Sequence, residues 1–280
     1  MGISAKALKS RIKSVESTEH ITRAMQLVSS SKLRRATEKM EISAAYFKAL
    51  TEVFNDAAAG CGVDAPKEFF EEKPGKKTCI VVFAGDRGLA GGFNNNIFSL
   101  TRNLARSEDV EVYTIGKKAF EYFKKKNYTV MCDLTSAEGL PMDVCARYGR
   151  EIAEKFAKGI YGKVILIYTA FKNMLTQNAT SLQALPLERR EERKSPGVTL
   201  YEPSAAAVFA ALIPEYISGL IYCADCESCA SEQAARRNAM DSATKNAGEM
   251  IERLNLQYNR ARQGAITQEI TEIVAGSEQG

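Results

Sequence analysis

The chain of 280 residues is 45% hydrophobic and 26% charged, the composition of a soluble globular protein with one or two domains. No apolar run approaches the roughly 18 residues that cross a bilayer, and no apolar segment follows the basic N-terminus as it does in a signal peptide. Seven scattered cysteines favour a reducing compartment, and the net charge of +4 is mild. We therefore expect a protein that is cytosolic or held at a membrane only through partners.

The N-terminal segment, residues 1–58, predicts one long helix. Proline is absent from it and glycine is absent after Gly2, while apolar residues recur at helical spacing. They are Leu8, Ile12 and Val15, then Ile21, Met25 and Val28, then Leu33, Ala36 and Met40. At 1.5 Å per residue such a helix would be about 80 Å long. Nine Lys or Arg against three Glu give residues 1–40 a charge of +6, so one end of the molecule is basic.

The middle of the chain, residues 76–186, alternates short β-branched strands with helices. The predicted strands are Thr78–Ala84, Val110–Ile115, Val164–Thr169 and Gln177–Leu185, and the predicted helices are Asn94–Arg106, Lys117–Lys125 and Met142–Lys158. This alternation indicates crossover connections and a mostly parallel sheet covered by helices on both faces. The sequence therefore predicts a three-layer Rossmann-like domain, followed by a polar linker at residues 187–203.

The C-terminal segment, residues 204–280, returns to helical periodicity, and Pro214 is expected either to kink the helix or to open a new first turn. Apolar positions alternating by four and three form a coiled-coil seam: Ala247, Ile251, Leu254, Tyr258, Ala261 and Ala265, continued one position over by Ile266, Ile270 and Ile273. The N-terminal helix is the available partner of comparable length. The predicted fold class is α/β, a long antiparallel coiled coil of the N- and C-terminal helices with the Rossmann-like domain inserted. Because the tip IVAG is apolar, we expect other subunits to surround the coil.

The GDRGLAGG turn, residues 85–92, is a candidate phosphate loop because it lies between a strand and a helix N-terminus. Its spacing gives neither GxGxxG nor a Walker loop with GK[ST], and Asp86 would repel a phosphate. The second strand ends in Ile115 and Gly116, with no acidic residue to hold a ribose. The alternative interpretation, a tight turn that lets strand and helix pack closely, fits these residues better.

Two other groups of residues suggest ligands. Cys223, Cys226 and Cys229 form a CxxCxxC run that could hold a cluster or a metal, although a continuous helix would spread the sulfurs along about 9 Å. Packing of small apolar residues is the alternative for these cysteines. Basic residues of the N-terminal helix could bind nucleic acid or complement an acidic protein partner: Lys6, Lys9, Arg11 and Lys13, then Lys32, Arg34 and Arg35.

Signatures of catalysis are missing from the sequence. The single histidine, His20, has no nucleophile near it in the chain, and neither GxSxG nor HExxH occurs. No aromatic residue is interleaved with the basic residues before Tyr46, as base stacking would require. We therefore expect no catalytic residue, no cofactor, no metal and no nucleic-acid ligand.

Three stretches resemble the gamma subunit of F-type ATP synthases. They are HITRAMQLVSSSKLRRA at residues 20–36, DRGLAGGFN at residues 86–94, and the long segment from SEQAARRNAM to TEIVAG at residues 231–276. Because the order helix, α/β domain, helix also matches, the resemblance covers essentially the whole chain. It implies a central rotor stalk that couples proton-driven rotation of the c-ring to ATP synthesis or hydrolysis at the alpha and beta catalytic sites. In this family the paired helices are the shaft inside a ring of alpha and beta subunits, and the α/β domain is the foot that binds the epsilon subunit and the c-ring.

The resemblance also assigns contacts by position. Met25 matches a residue close to a beta-subunit loop, and Arg262, Gln263 and Thr267 match the polar cluster that meets the beta catch loop. Glu202 matches a foot residue that faces the c-ring, and Thr199 departs from the tyrosine that some relatives have at that position.

Two departures from the family pattern indicate a gamma subunit of bacterial type. Ala90 replaces a cysteine that many relatives carry, and the redox-regulatory insertion of plant plastid gammas is absent between Leu187 and Leu200. The resemblance then implies a peripheral position on the cytoplasmic face of a bacterial plasma membrane, with the membrane reached only through partners.

Overall fold

The structure, a computed structural model, describes residues 5–61, 66–107, 109–132, 134–187 and 200–277. The chain divides into two compact units. The terminal unit comprises Met1–Ser29 and Arg237–Gly280, and the sheet unit comprises Ser30–Arg236. Two long helices, α1 (Ala5–Cys61) and α5 (Ala205–Ser277), each contribute residues to both units.

In its described residues, the sheet unit has five strands in the order β3-β2-β1-β4-β5. They are β1 (Lys77–Phe83), β2 (Val110–Ile115), β3 (Thr129–Val130), β4 (Tyr161–Phe171) and β5 (Gln177–Leu185). The first four are parallel, whereas β5 pairs antiparallel with β4. The mostly parallel sheet is confirmed. The sequence missed β3 because two residues at a sheet edge are too few to give a periodic signal.

Helices cover both faces of this sheet because β1 buries alternate side chains on opposite sides. The shorter α-helices in the part of the chain that the structure describes are α2 (Phe93–Leu104), α3 (Lys117–Lys125) and α4 (Met142–Ala157). Residues of α2 and α3 share one apolar cluster with Ile80 and Val82. Residues of α4 and segments of α1 and α5 share the other with Val81 and Phe83. The predicted three-layer Rossmann-like arrangement is confirmed.

Within the sheet unit, the segments of α1 and α5 pair in opposite directions. The ring centroids of Phe54 and Phe209 are 4.9 Å apart, and those of Phe47 and Tyr216 are 5.5 Å apart. The Cys223 thiol donates to the carbonyl of Ser43 at 3.4 Å. Residue numbers on α1 fall as those on α5 rise, so the pairing is antiparallel, as predicted.

Helix α5 runs from Ala205 past Pro214, so no new first turn opens at the proline. The Ser218 hydroxyl donates to the Pro214 carbonyl at 2.6 Å. By length and composition alone, part of α5 is apolar enough to cross a membrane, although no uninterrupted apolar run is that long. Its side chains Phe209, Ile213 and Ile217 are fully buried against the sheet unit, which is typical of the core helix of a globular domain.

The terminal unit contains a second antiparallel stretch of α1 against α5. Leu8, Ile12 and Leu254 form a buried cluster, with Val15, Tyr258 and Ala261 packed against it. Further along, Thr244 Oγ1 lies 2.8 Å from Thr22 Oγ1, and the Gln26 amide donates to Asp241 Oδ1 at 2.9 Å. These contacts confirm the predicted pairing of the two chain ends within this unit.

The long N-terminal helix is confirmed, but the apolar residues that predict it do not all lie on its buried face. Ile21 and Val28 are 59% and 57% exposed, whereas Thr22 and Ser29 are 8% and 2% exposed. The four–three alternation that starts at Leu8 passes through polar residues here, so the seam positions are Glu19, Thr22, Gln26 and Ser29. Ile21 and Val28 each lie one position away from a buried polar residue of the seam.

The predicted seam of α5 also ends early. Ala261 is half-buried, but Ala265 and Ile266 are exposed, as are Ile270 and Ile273. Because Leu8 already shares its cluster with Ala261, the antiparallel course leaves few described α1 residues opposite these positions.

The predicted domain limits, 1–58, 76–186, 187–203 and 204–280, stay a proposal. Most of the predicted linker, residues 188–199, lies outside the described residues, and so does Thr199.

Candidate interaction surfaces

The predicted polar cluster lies on the exposed end of α5 in the terminal unit. Arg262, Gln263 and Thr267 are all exposed, and the Thr267 hydroxyl donates to the Gln263 carbonyl at 2.9 Å. Their neighbour Ala261 packs against the cluster of Leu8. Since residues next to a seam position point to the flanks of a helix, Arg262 and Gln263 present a guanidinium and an amide to the surroundings.

Met25 lies elsewhere in the same unit. It is half-buried on α1, between the seam positions Thr22 and Gln26. It lies thirteen positions along α1 from Ile12, or about 20 Å along the helix axis, and Ile12 shares a cluster with Tyr258 and Ala261. The structure therefore does not bring Met25 together with Arg262, Gln263 and Thr267.

Glu202 belongs to the sheet unit, in the segment that leads into α5. Its side chain is exposed, and the neighbouring Tyr201 packs against the core cluster that contains Phe209. The tyrosine anchors this segment while the carboxylate faces outward, an arrangement suited to contact with a partner.

The turn after β1 is closed by its own acidic residue. The carboxylate of Asp86 accepts hydrogen bonds from the backbone N–H of Lys117 at 2.8 Å, from Ser136 Oγ at 2.5 Å, and from the N–H groups of Glu138 and Ala137. Burial alone would raise the pKa of Asp86, but these hydrogen bonds hold it below its ordinary value. Lys117 is the first residue of α3, so the carboxylate joins the turn to the N-terminus of α3, whereas the helix that follows the turn is α2, which begins at Phe93. This geometry favours the structural interpretation of the turn.

A buried ion pair on α5 also contacts the turn after β1. Arg236 donates to Glu232 and also to the carbonyl of Gly88 at 3.4 Å, and both side chains are 9% exposed. Burial raises the pKa of Glu232, while the Arg236 guanidinium opposes that rise. A Cβ atom on Gly85 would lie only 2.5 Å from a Glu232 carboxylate oxygen, so any larger residue there would displace the carboxylate of this ion pair. Sequence reasoning missed this pair, whose signal was the i, i+4 spacing of opposite charges within SEQAAR.

The three cysteines of the CxxCxxC run are all helical. Cys223, Cys226 and Cys229 lie on α5, and burial raises the pKa of the Cys223 thiol to about 11 and that of Cys229 to about 12. Neutral thiols are poor metal ligands. Among the residues that the structure describes, no group of three His, Cys, Asp or Glu side chains could hold a metal ion.

Together these observations define an α/β protein. Its two terminal helices pair antiparallel, and the three-layer domain lies between them in the sequence. A sequence model described as ATP synthase matches residues 4–279 of the chain. The ATP synthase gamma chain of Ruminococcus albus is 44% identical over 280 residues, which cover 97% of each chain. The chain belongs to the ATP synthase gamma family.

Solved structures share the fold. The Tetrahymena thermophila mitochondrial ATP synthase, solved as central stalk and c-ring, contains a chain that matches with a TM-score of 0.62 and 21% identity, covering 80% of this chain and 99% of that one. The Euglena gracilis mitochondrial ATP synthase, solved as OSCP, F1 and c-ring, contains another with a TM-score of 0.67 and 14% identity, covering 98% and 93%. At these sequence identities the two structures support the fold assignment alone.

Proposed function

We propose that the chain is the central rotor-stalk subunit of an F-type ATP synthase and couples proton-driven rotation of a c-ring to ATP synthesis and hydrolysis at alpha and beta catalytic sites. Membership of the gamma family supports this role. The observation that carries it is the bare end of α5, where Ile266, Ile270 and Ile273 are 42%, 56% and 72% exposed. Such apolar surface indicates an interface, because its exposure to water is unfavourable in free energy.

The surface of this helix end differs from side to side. Arg262 and Gln263 offer charge and hydrogen bonds, whereas the exposed isoleucines offer apolar contacts. A ring subunit that meets these faces in turn experiences different interaction energies at different rotational positions. Differential contacts of this kind shift the equilibrium between two conformations of a neighbour, which is how rotation can drive the catalytic sites through successive states.

We assign partners accordingly. Alpha and beta subunits surround the terminal unit, with Met25, Arg262, Gln263 and Thr267 contacting beta, and the epsilon subunit and the c-ring bind the sheet unit, with Glu202 at the c-ring. ATP chemistry belongs to these partners, and this chain supplies no catalytic group. The protein lies peripherally on the cytoplasmic face of a bacterial plasma membrane and reaches the membrane through its partners.

Single-molecule rotation tests this function. Lys125→Cys places a labelling site on the exposed side of α3 for an optical probe, in complexes assembled from alpha, beta and this chain. We expect stepwise probe rotation that requires ATP and stops when ATP is removed. A chain that fails to assemble with alpha and beta, or that assembles and does not rotate, would contradict the proposal.

A further inference from the structure

Five exposed cations lie together at one end of the helical layer formed by α2 and α3. The two helices share an apolar cluster, and the rings of Phe98 and Tyr122 stack between them with their centroids 4.1 Å apart. The cations stand in the last turns of the two helices and directly after them. We call this group the α2–α3 basic cluster, and its members are Arg102, Arg106, Lys124, Lys125 and Lys126.

The topology brings this cluster to the edge of the sheet at which the parallel strands begin. Helix α2 connects β1 to β2, and α3 connects β2 to β3. Because each helix joins the end of one parallel strand to the start of the next, it runs back across the sheet. The cluster therefore lies beside the first residues of β2 and β3, Val110 and Thr129.

Ion pairs do not neutralise the cluster. Within the part of the chain that the structure describes, none of its five cations pairs with a carboxylate, whereas Lys117 and Lys118 of α3 both pair with Glu121. Asp109 is the exposed acidic residue next to β2, which leaves the described cluster an excess of four positive charges. The C-termini of two helices carry about half a negative charge each, so helix dipoles offset only about one of these charges.

The segment that contains Glu202 lies at the same end of the sheet unit. Strand β5 runs antiparallel to β4 and ends beside the start of β4, where the N–H of Leu187 donates to the carbonyl of Phe69 at 2.7 Å. The ring of the next residue, Phe70, stacks on Phe209 of α5 with the centroids 5.9 Å apart. The cluster and the start of α5 are therefore on opposite faces of the sheet but at one end of it.

We propose that the α2–α3 basic cluster faces an anionic phospholipid surface, an assignment that rests on the proposed function. That function places the Glu202 end of the sheet unit against the c-ring, and hence toward the bilayer. Clusters of about four to eight Lys and Arg next to a membrane are typical of sites that attract acidic lipid headgroups. The attraction acts over roughly 8 Å at physiological salt, so the side chains need not insert into the bilayer.

A lipid surface fits this cluster better than an acidic protein does. Consecutive helical residues point about 100° apart, so the three adjacent lysines spread around the end of α3 instead of forming one face. A folded acidic partner would have to match those separate directions, whereas a fluid layer of headgroups meets each of them. Attraction to such a layer fixes no partner atom, and it therefore permits the rotation proposed for this chain.

Photo-crosslinking identifies what the cluster faces. A photoreactive amino acid replaces Asn103, which is exposed between the two arginines, and in a matched control replaces Asn95, which is exposed at the other end of α2. The complete synthase is assembled in vesicles that contain phosphatidylglycerol. We expect Asn103 to crosslink to this lipid and Asn95 to remain free of it. Crosslinks from Asn103 to an acidic protein segment, to nucleic acid or to nothing would overturn the proposal.

Charge removal gives a second, independent readout. The triple variant K124Q/K125Q/K126Q, in complexes with alpha and beta, is sedimented with phosphatidylglycerol vesicles at low ionic strength. We expect it to bind about tenfold or more weakly than the wild-type complex, and the difference to disappear at about 1 M salt. K124R/K125R/K126R keeps the charge and should bind as the wild type does. Weak binding by the arginine variant would show that the lysine side chains matter for another reason and would contradict the proposal.

A matched control separates the position of the charge from its amount. R87Q/K117Q/K172Q removes the same charge from exposed positions that follow the ends of β1, β2 and β4, at the opposite edge of the sheet. We expect this control to bind phosphatidylglycerol vesicles as the wild type does. Equal loss of binding in the two glutamine variants would contradict the lipid contact alone. Loss of assembly in the wild-type chain would instead contradict the proposed function.

Discussion

Asp225 shows how one residue can make the stability of the sheet unit depend on pH. It lies on α5 with 2% of its surface exposed, and the nearby cation is Lys39 on α1. Burial raises the pKa of Asp225 to about 8, the charge of Lys39 opposes the rise, and the charges of Asp86 and Glu232 add to it. Folding therefore keeps this carboxyl protonated at pH values where the unfolded chain has released the proton.

The free energy of unfolding should fall as pH rises between about 4 and 8. In that range the folded state binds one more proton than the unfolded state at Asp225, which gives a slope of about 1.4 kcal/mol per pH unit from this residue. We expect Asp225→Asn to remove most of that slope in urea unfolding at a series of pH values. Asp109→Asn, at an exposed position, is the matched control and should keep the wild-type slope. An unchanged slope in Asp225→Asn would show that the carboxyl is ionised in the folded protein.

At the scale of the element, the strands show what apolar spacing can predict, and helix α1 shows what it misses. The strands β1, β2 and β4 were predicted because a strand buried on both faces needs a continuous apolar run, as in Cys79–Phe83. Apolar spacing does not locate the seam of α1 near Ile21, because polar side chains pair with one another there, as Gln26 does with Asp241. Such pairing depends on a residue 215 positions away and leaves no periodic apolar signal.

The position of the seam on α1 can be tested with alanine substitutions. Ile21→Ala should change the free energy of unfolding by no more than about 0.5 kcal/mol, because the side chain is already exposed to water. Leu8→Ala, the matched large-to-small change at a buried seam position, should cost about 2 kcal/mol or more. Urea unfolding of the two variants measures the contrast. A larger loss of unfolding free energy in Ile21→Ala would show that Ile21 belongs to the seam.

At the scale of the whole molecule, Glu202 should affect coupling rather than hydrolysis. The side chain is exposed in the sheet unit, and the proposed role of that unit is contact with the c-ring and epsilon. We expect Glu202→Ala to weaken ATP-driven proton pumping in vesicles while the detached complex hydrolyses ATP at the normal rate. Glu68→Ala, exposed in the same unit, is the control and should leave both activities unchanged. Equal loss of pumping and hydrolysis would place Glu202 in another role.

The polar cluster of α5 should act on catalysis in partner subunits. Charged hydrogen bonds contribute about 1.5–3 kcal/mol each, so we expect Arg262→Ala with Gln263→Leu to lower ATPase activity of the reconstituted alpha–beta complex about tenfold or more. Because both side chains are exposed, the mutant chain alone should keep its helix content by circular dichroism. Normal activity with intact assembly would contradict the proposed beta contact. Loss of folding would show that the pair stabilises the helices instead.

The antiparallel pairing of the chain ends also sets the order in which the molecule is made. Contacts of the terminal unit join residues 215 and 222 positions apart, so α1 leaves the ribosome long before its seam has a partner. At about 5–20 residues per second, the delay is roughly ten to forty seconds. During that time Leu8 and Ile12 lack the contact with Leu254 that buries them in the finished protein. The terminal unit is therefore completed last, and chains whose translation stops early lack it entirely.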